Sequence, residues 1–306
     1  MKILLLGANG QLGRAFVEHG GLGARGELVT ASRDGLRFDG VRIEGADLAQ
    51  PAQLHTVLER VSPRLIVNAA AYTAVDRAER QEALATCVNG QAVGVLGAWA
   101  AAHGARVLHY STDYVFDGHA KAPYPADAPT APLGAYGRSK LAGEVALRAS
   151  GAAHLILRTA WVYAPHGHNF LRTMLRLAAE RDELRVVADQ VGAPTSVELI
   201  VAGSLAALDT WLADAAAPSL TEHLVASGYT SWHGFAQAII DEAHARSLIA
   251  RKPAVVPIGT TDYPTPARRP AWSVLDNRGF SAKVGFLPAD WREGLGRTLV
   301  QIAGHV

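Results

Sequence analysis

Short apolar runs alternate with amphipathic segments through the first half of the chain. The first run, 2–6, is a continuous apolar stretch typical of a buried parallel strand. The pattern predicts strands over 2–6, 27–31, 64–68, 106–110 and 154–158, and helices over 11–19, 52–61, 82–103 and 135–149. This alternation predicts an α/β fold, a Rossmann-type doubly wound parallel sheet that binds ligands at the carboxyl ends of its strands.

The regularity weakens after residue 158. Nine prolines lie between residues 160 and 306, and prolines break helices and strands. We therefore predict a nucleotide-binding domain over 1–159 and a smaller, interleaved C-terminal lobe over 160–306 that mainly binds the substrate. An apolar segment over 222–227 predicts that the second part returns to the sheet at about 220–230.

A glycine-rich turn, GANGQLG, follows the first predicted strand and opens the first predicted helix. Gly7 suits the tight turn, Gly10 lets the backbone approach a pyrophosphate, and Gly13 lets helix and strand pack closely. The phosphates of a dinucleotide would sit on the helix N-terminus. The spacing is GxxGxxG rather than the commoner GxGxxG, so the interpretation depends on the position of the turn between strand and helix.

Two further segments carry candidate catalytic groups. YSTDYVFDG, from Tyr110, contains the pair Ser111 and Thr112, and AYGRSK contains Tyr136 and Lys140. Because residues i and i+4 share a helix face, Lys140 is expected beside the Tyr136 phenol. A neighbouring cation favours the phenolate, so we expect the pKa of Tyr136 to be lowered toward a proton donor that works near neutrality. YxxxK alone is a weak pattern. In unrelated proteins it more often marks a half-buried tyrosine beside a solvated lysine than a catalytic pair.

Composition excludes several functional classes. The 306 residues carry a formal charge of +1, with no basic run of five or more, so neither nucleic acid nor a membrane surface is an expected partner. Cys87 is the only cysteine, which excludes an intrachain disulfide and a multi-cysteine metal site. No apolar run is expected to span a bilayer, and the first is too short for a signal peptide. We expect a cytoplasmic protein.

Six segments together resemble the extended short-chain dehydrogenase/reductases and, more narrowly, the dTDP-4-dehydrorhamnose reductase family. In chain order they are GANGQLG, NAAAYTAVDRAE, YSTDYVFDG, YGRSKLAGE, RTAWVY and RRPAWSVLD. The resemblance extends from residue 1 to about 296, and STDYVFDG with RTAWVY is its most specific part. It implies that a dTDP-4-keto-6-deoxyhexose, dTDP-4-dehydro-L-rhamnose, is reduced at its 4-keto group with NADPH or NADH.

The resemblance also implies roles for particular residues. Tyr136 would give a proton to the sugar O4, and Lys140 would bind the nicotinamide ribose and lower the tyrosine pKa. Thr112 would hydrogen-bond the carbonyl, whereas Ser111 is expected to be structural. Trp161 would pack on the deoxysugar, unless it is a core residue, and Asp113 would line the pocket or shape the turn.

For the cofactor, the resemblance and the glycine turn together imply an extended set of contacts. The set comprises Gly7, Gly10, Gln11, Leu12, Gly13, Arg33, Asp47, Leu48, Ala69, Ala70, Ala71, Tyr136 and Lys140. Arg33 lies at the end of the second strand, where an arginine suits the 2′-phosphate of NADPH, although Asp34 and Asp39 could reverse this preference. Arg268 and Arg269 are candidates for the diphosphate, with one of them expected in a structural ion pair.

Metal binding and assembly are weaker inferences. No metal ligand is assigned, but some relatives bind Mg²⁺ through glutamates at a dimer contact, and Glu198 and Glu293 could lie there. A homodimer is therefore possible. Two other functions stay open: a different dTDP-4-keto-6-deoxysugar reductase or epimerase, and a non-catalytic NADP-binding regulatory subunit resembling that of methionine adenosyltransferase. An intact set of Thr112, Tyr136 and Lys140 argues against the second.

Overall fold

A seven-stranded parallel sheet forms the centre of the molecule in the computed structural model, which describes residues 1–304. The strands of the chain are β1 (Lys2–Leu6), β2 (Glu27–Ser32), β3 (Glu44–Gly45), β4 (Leu65–Asn68), β5 (Arg106–Thr112), β6 (Ala153–Thr159), β7 (Val162–Tyr163), β8 (Glu183–Val187), β9 (Val191–Gly192), β10 (Thr195–Ser196), β11 (Leu220–His223), β12 (Thr230–Ser231) and β13 (Ala254–Ile258). The large sheet has the order β11-β6-β5-β4-β1-β2-β3, which confirms the Rossmann-type prediction.

Helices cover both faces of this sheet. They are α1 (Gln11–His19), α2 (Pro51–Val61), α3 (Val75–Ala78), α4 (Glu82–Thr86), α5 (Ala92–His103), α6 (Ala135–Ala149), α7 (Phe170–Glu180), α8 (Val197–Ala213), α9 (Trp232–Ala245), α10 (Arg278–Val284) and α11 (Trp291–Ala303). In β1, Ile3 and Leu5 join the core that contains α1 and α8, whereas Leu4 and Leu6 join the core that contains α2 and α5. The side-chain period of two thus explains why the whole strand is apolar.

The sheet reverses its winding beside β1. That strand pairs with β2 on one side and with β4 on the other, so the chain order changes direction there. Leu6 lies opposite Asn68 at the carboxyl ends of β1 and β4, and the amide of Ala69 donates to the Leu6 carbonyl at 3.1 Å. A crevice at such a switch point is where open α/β sheets bind ligands.

The second half is more regular than the sequence pattern predicted, because α7, α8, α9 and α11 are long helices. β11 pairs with β6, and it covers Leu220–His223 rather than the predicted 222–227. α8 packs on the face that carries α1, where the Leu205 side chain lies against Gly21. The division into two domains between residues 159 and 160 stays a prediction. Strand β11 and helix α8 both follow residue 160 in the chain, yet β11 extends the large sheet and α8 covers one of its faces.

The predicted helix over 82–103 consists of α4, a π-helical turn at Cys87–Gln91, and α5. Within residues 1–304 this run is the one segment long and apolar enough to cross a bilayer by length and composition, which the sequence analysis had not expected. Half of its 18-residue window is buried in the protein. A core helix has the same length and composition, so the run is weak evidence of a membrane span.

Candidate active site

The glycine turn has the geometry that a close phosphate approach requires. Gly7 has a φ of +81°, and a Cβ there would come within 2.7 Å of the Ala70 amide nitrogen. A Cβ on Gly13 would lie 2.0 Å from the Gly7 carbonyl oxygen, so helix α1 packs directly on the turn. Gly10 is the N-cap of α1, no side chain caps the helix, and its first turn has no acidic residue. The free amides and helix dipole fit an anion.

The other predicted cofactor residues surround this turn with different degrees of burial. The Gln11 side chain accepts a hydrogen bond from Asn169 at 2.8 Å, while Leu12 is half-buried against the core. Asp47 caps the following turn through the Ala49 amide at 3.0 Å. Leu48 is 5% exposed and its side chain belongs to the core, so only its backbone is left for the cofactor contact that the resemblance implies.

Arg33 lies at the carboxyl end of β2 and is exposed, with no hydrogen bond or ion pair to any other residue in 1–304. The neighbouring acids are occupied. Asp34 accepts from the Ser32 hydroxyl at 2.8 Å, and this bond lowers its pKa. Asp39 pairs with Arg37 at 2.7 Å, which lowers the pKa of Asp39 to about 2. Arg33 thus makes no fixed contact, while its charge contributes to the lowered pKa of the nearby Asp34 carboxyl group.

Strand β5 and helix α6 bring the three candidate catalytic side chains together. β5 ends at Thr112, whose hydroxyl donates to the Asp113 carboxylate at 3.0 Å and accepts from the Tyr114 amide at 3.2 Å. Tyr136 is the second residue of α6, and Lys140 follows one turn later. The Tyr136 ring packs edge-on against Tyr114, with ring centroids 5.7 Å apart.

The electrostatics differ from the expectation for Tyr136. Burial raises the pKa of Tyr136, the Asp113 carboxylate adds to the rise, and the Thr112 hydroxyl alone opposes it. The expectation that Lys140 lowers this pKa was wrong for the present geometry, because the Lys140 ammonium donates to the Tyr110 carbonyl at 2.6 Å. Burial lowers the pKa of Lys140 to about 8 and raises that of Asp113 to about 6.

Trp161 follows β6 in a strained conformation. Its φ is +46°, and the other two non-glycine residues with positive φ in 1–304, Ser62 and Ser247, lie at helix C-termini where this is common. Its indole stacks on Trp232 at 3.5 Å between ring centroids, and Gly192 is so close that a Cβ there would lie 2.5 Å from Cε2. The face against Trp232 is therefore closed to a sugar.

Several side chains that shape the site were missed by the sequence analysis. Asn89, in the π-helical turn, accepts from the Tyr72 amide at 2.8 Å, and it donates to the Tyr72 carbonyl at 3.0 Å and to the Ser139 hydroxyl at 2.9 Å. It thereby ties the loop after β4 to α6. Glu79 caps α6 by accepting from the Ala135 amide at 2.8 Å. A π-helical turn at a functional site is a recurrent arrangement.

Comparison with known proteins places this geometry in a family. A family model for the RmlD substrate binding domain matches residues 1–303. A dTDP-4-dehydrorhamnose reductase of Burkholderia thailandensis is 47% identical, over 97% of this chain and 97% of that protein. The chain belongs to the dTDP-4-dehydrorhamnose reductase family. The resemblance of its six segments is thus confirmed.

Solved structures of dTDP-4-dehydrorhamnose reductases share the fold over almost the whole chain. That of Clostridium acetobutylicum ATCC 824 superposes with a TM-score of 0.88 at 34% identity, covering 99% of this chain and 100% of the other. That of Bacillus anthracis str. Ames, in complex with NADP, has a TM-score of 0.85 at 31% identity and covers 98% and 99%. The nucleotide in the second structure supports the inclusion of NADP among the expected cofactors.

The described residues give no support for the magnesium site that the resemblance suggested. Among residues 1–304, no group of three or more histidine, cysteine, aspartate or glutamate side chains is placed to hold a metal ion. Both candidate glutamates pair with the Arg297 guanidinium, which lies 3.8 Å from the Glu198 carboxylate and 3.4 Å from that of Glu293.

Proposed function

We propose that the protein reduces the 4-keto group of dTDP-4-dehydro-L-rhamnose to give dTDP-L-rhamnose, with NADPH as the reductant. The observation that carries the proposal is that the Thr112 hydroxyl lies beside the Tyr136 phenol and Lys140 bonds to the backbone of β5. The uncapped N-terminus of α1 follows β1 of the same parallel sheet. Family membership gives the substrate class.

The chain supplies proton transfer and positioning. NADPH, when bound, would supply the hydride to C4. Tyr136 is the proton donor to O4, and its raised pKa keeps the phenol protonated until charge develops on that oxygen. Lys140 would exchange the Tyr110 carbonyl for the ribose hydroxyls and come closer to the phenol. Thr112 has one hydroxyl proton, so it must turn away from Asp113 to donate to the substrate carbonyl.

The cofactor residues fit a phosphorylated dinucleotide. Gly7, Gly10 and Gly13 leave space for a pyrophosphate at the start of α1, where no acidic side chain competes. Arg33 supports a preference for NADPH because it is exposed and makes no hydrogen bond or ion pair within 1–304, whereas Asp34 accepts from Ser32 and Asp39 pairs with Arg37. An arginine offers a planar fork for the 2′-phosphate.

For the sugar nucleotide, Arg268 is the better candidate for the diphosphate. Arg269 pairs with Asp76 at 2.8 Å, whereas Arg268 is exposed and no such pair involves it within 1–304. Trp161 would contact the deoxysugar only with the part of its indole that Trp232 and Gly192 leave free. Asp113 would line the same pocket. We also propose a cytoplasmic location and, as a separate matter, self-association.

The decisive experiment is turnover of dTDP-4-keto-6-deoxy-L-lyxo-hexose with NADPH, followed by identification of the product by NMR. We expect oxidation of NADPH and formation of dTDP-L-rhamnose, and Lys140→Met is the matched inactive variant. A product with the opposite configuration at C4 would support another reductase. Tight NADPH binding without oxidation of NADPH would support a non-catalytic regulatory subunit.

A further inference from the structure

Four side chains form a continuous row along α6. Tyr136, Lys140, Glu144 and Arg148 are spaced four residues apart, so they share one side of the helix. Lys140 is 3% exposed and Glu144 is 0% exposed, whereas the Arg148 side chain is 39% exposed. A buried lysine and a buried glutamate therefore lie one and two turns behind the candidate proton donor.

The Glu144 carboxylate is fixed from two elements. The Arg158 guanidinium, on β6, donates from Nε to Oε1 at 2.8 Å and from Nη2 to Oε2 at 2.7 Å. Arg148 adds a bond to Oε2 at 3.0 Å. Arg158 also donates to the Ala126 carbonyl at 2.9 Å and lies over the Phe116 ring, 5.1 Å from its centroid. Helix α6 is thereby anchored to the sheet at Glu144.

Stability alone is a poor reason for this buried pair. Removing two charges from water costs about as much as their attraction returns, and well-packed apolar residues are often at least as stable in such positions. The Arg158 side chain is 4% exposed and that of Glu144 is fully buried, so both groups bear this cost. A role beyond packing is therefore the more economical explanation.

The charges around Lys140 indicate what that role is. Burial opposes its ammonium form, whereas the Glu144 charge and the Tyr110 carbonyl that accepts its hydrogen bond favour that form. His109, on β5, faces the same lysine, but burial and the Lys140 charge hold its pKa well below the usual value, so it is neutral. Arg158 and Arg148 contact the carboxylate rather than the lysine, and the phenol of Tyr136 is protonated.

We propose that Glu144 is a positioning residue for Lys140: its carboxylate, anchored by Arg158, keeps the buried ammonium charged and holds the face of α6 that carries Tyr136. The role in the reduction rests on the proposed function, but the effect on Lys140 does not.

The test is a direct titration of Lys140. The chain has five lysines, so protein with ¹³C-labelled lysine gives few side-chain signals, and Lys140→Met assigns the one of interest. In the parent, we expect Lys140 to titrate near pH 8. In Glu144→Gln, the proton affinity of Lys140 should fall about tenfold or more, the scale of losing a buried neighbouring charge. An unchanged titration in folded Glu144→Gln protein would overturn the proposal.

Matched variants separate charge from packing. Glu144→Asp retains the carboxylate and should restore the proton affinity to within about threefold. Glu82→Gln removes an exposed acid that pairs with Arg138 on the solvent side of α6, and it should leave the Lys140 titration unchanged. If Glu144→Gln does not fold, the double variant Glu144→Gln with Arg158→Met removes the buried pair and leaves only the partly exposed Arg148 guanidinium without its carboxylate. The proton affinity of Lys140 should still fall in this variant, but less than in Glu144→Gln because the Arg158 charge is lost as well. No fall at all would overturn the proposal.

Turnover provides a second reading. If Lys140 must be charged, the alkaline fall in kcat/KM should move to lower pH in Glu144→Gln, whereas a purely structural role would lower kcat/KM equally at every pH. An equal loss at every pH, with an unchanged lysine titration, would refute the positioning role. Absence of turnover in the parent protein would refute the proposed function but leave the lysine titration interpretable.

Discussion

The Nζ atom of Lys140 lies 2.6 Å from the carbonyl oxygen of Tyr110, so the ammonium of helix α6 donates to the backbone of strand β5. Lys140 is 3% exposed, and this bond is its one fixed partner in the described structure. The contact holds the ammonium on the backbone of β5. Burial there lowers the pKa of Lys140 to about 8.

The first prediction is a loss of activity as pH rises through about 8. In the proposed mechanism the ammonium form of Lys140 donates to the nicotinamide ribose, and this form disappears above its lowered pKa. A pH profile of kcat/KM for the keto sugar nucleotide measures this. In Lys140→Arg the charge persists to much higher pH, so the alkaline fall should vanish even if turnover is slow. Persistence of the same fall would assign it to another group.

The second prediction concerns Tyr136→Phe. This change removes the proton donor with little loss of volume, so folding and NADPH affinity should survive while kcat falls by about 10²-fold or more. Steady-state kinetics, a melting curve and a cofactor titration check the three parts. Activity within a few-fold of the parent would rule out Tyr136 as the general acid.

The third prediction tests cofactor choice. Arg33→Ala should weaken NADPH binding about tenfold or more and change NADH binding much less, because charge-assisted hydrogen bonds to the 2′-phosphate are lost. Fluorescence titration with both nucleotides measures the two affinities. Arg37→Ala is the matched control, since that arginine is occupied by Asp39. Equal losses for the two nucleotides would show that Arg33 does not contact the phosphate.

The fourth prediction concerns packing at the glycine turn. Gly13→Ala would place a methyl group 2.0 Å from the Gly7 carbonyl oxygen, so α1 must move. We expect a loss of about 1–3 kcal/mol in the free energy of unfolding and weaker binding of NADPH. Gly23→Ala is the control because a Cβ there meets nothing within 4 Å. Denaturant unfolding of both variants decides, and equal stabilities would contradict the close packing.

The fifth prediction distinguishes two roles of Trp161. If its indole contacts the sugar, Trp161→Ala should raise KM for the sugar nucleotide and lower kcat while NADPH affinity is unchanged. If it is only a core residue stacked on Trp232, the change should cost about 3–5 kcal/mol of stability without any selectivity for substrate. A variant with unaltered substrate kinetics and unaltered stability would refute both roles.

The repeating parts of the fold could be predicted from the sequence. The bounds of β1, α1 and α6 agree with prediction because each begins or ends at a glycine or at a change of hydrophobic period. The second half was predicted as irregular, yet α8 is a 17-residue, mostly apolar helix with ten buried residues. Its pattern has no polar face, so helical periodicity could not indicate it.

The site was predictable where a local motif carries it. Tyr136 and Lys140 share one helix, so spacing alone relates them, and Glu144 could have been found by extending the same spacing one more turn. The partner of Glu144, Arg158, is on another element and gives no local signal. The same holds for the stack of Trp161 on Trp232 and for Asn89, whose contacts depend on a π-helical turn.

Strand β11 has a practical consequence for anyone who wants to divide the molecule. It comes from residues 220–223, yet it protects the edge of β6, while α8 shields the apolar side of α1. A fragment cut after residue 159 would expose an unpaired strand edge and an uncovered hydrophobic layer, a combination that promotes aggregation. Exchange of substrate-binding segments between relatives should therefore keep β11 and α8 with the nucleotide-binding half and replace only the loops and helices around them.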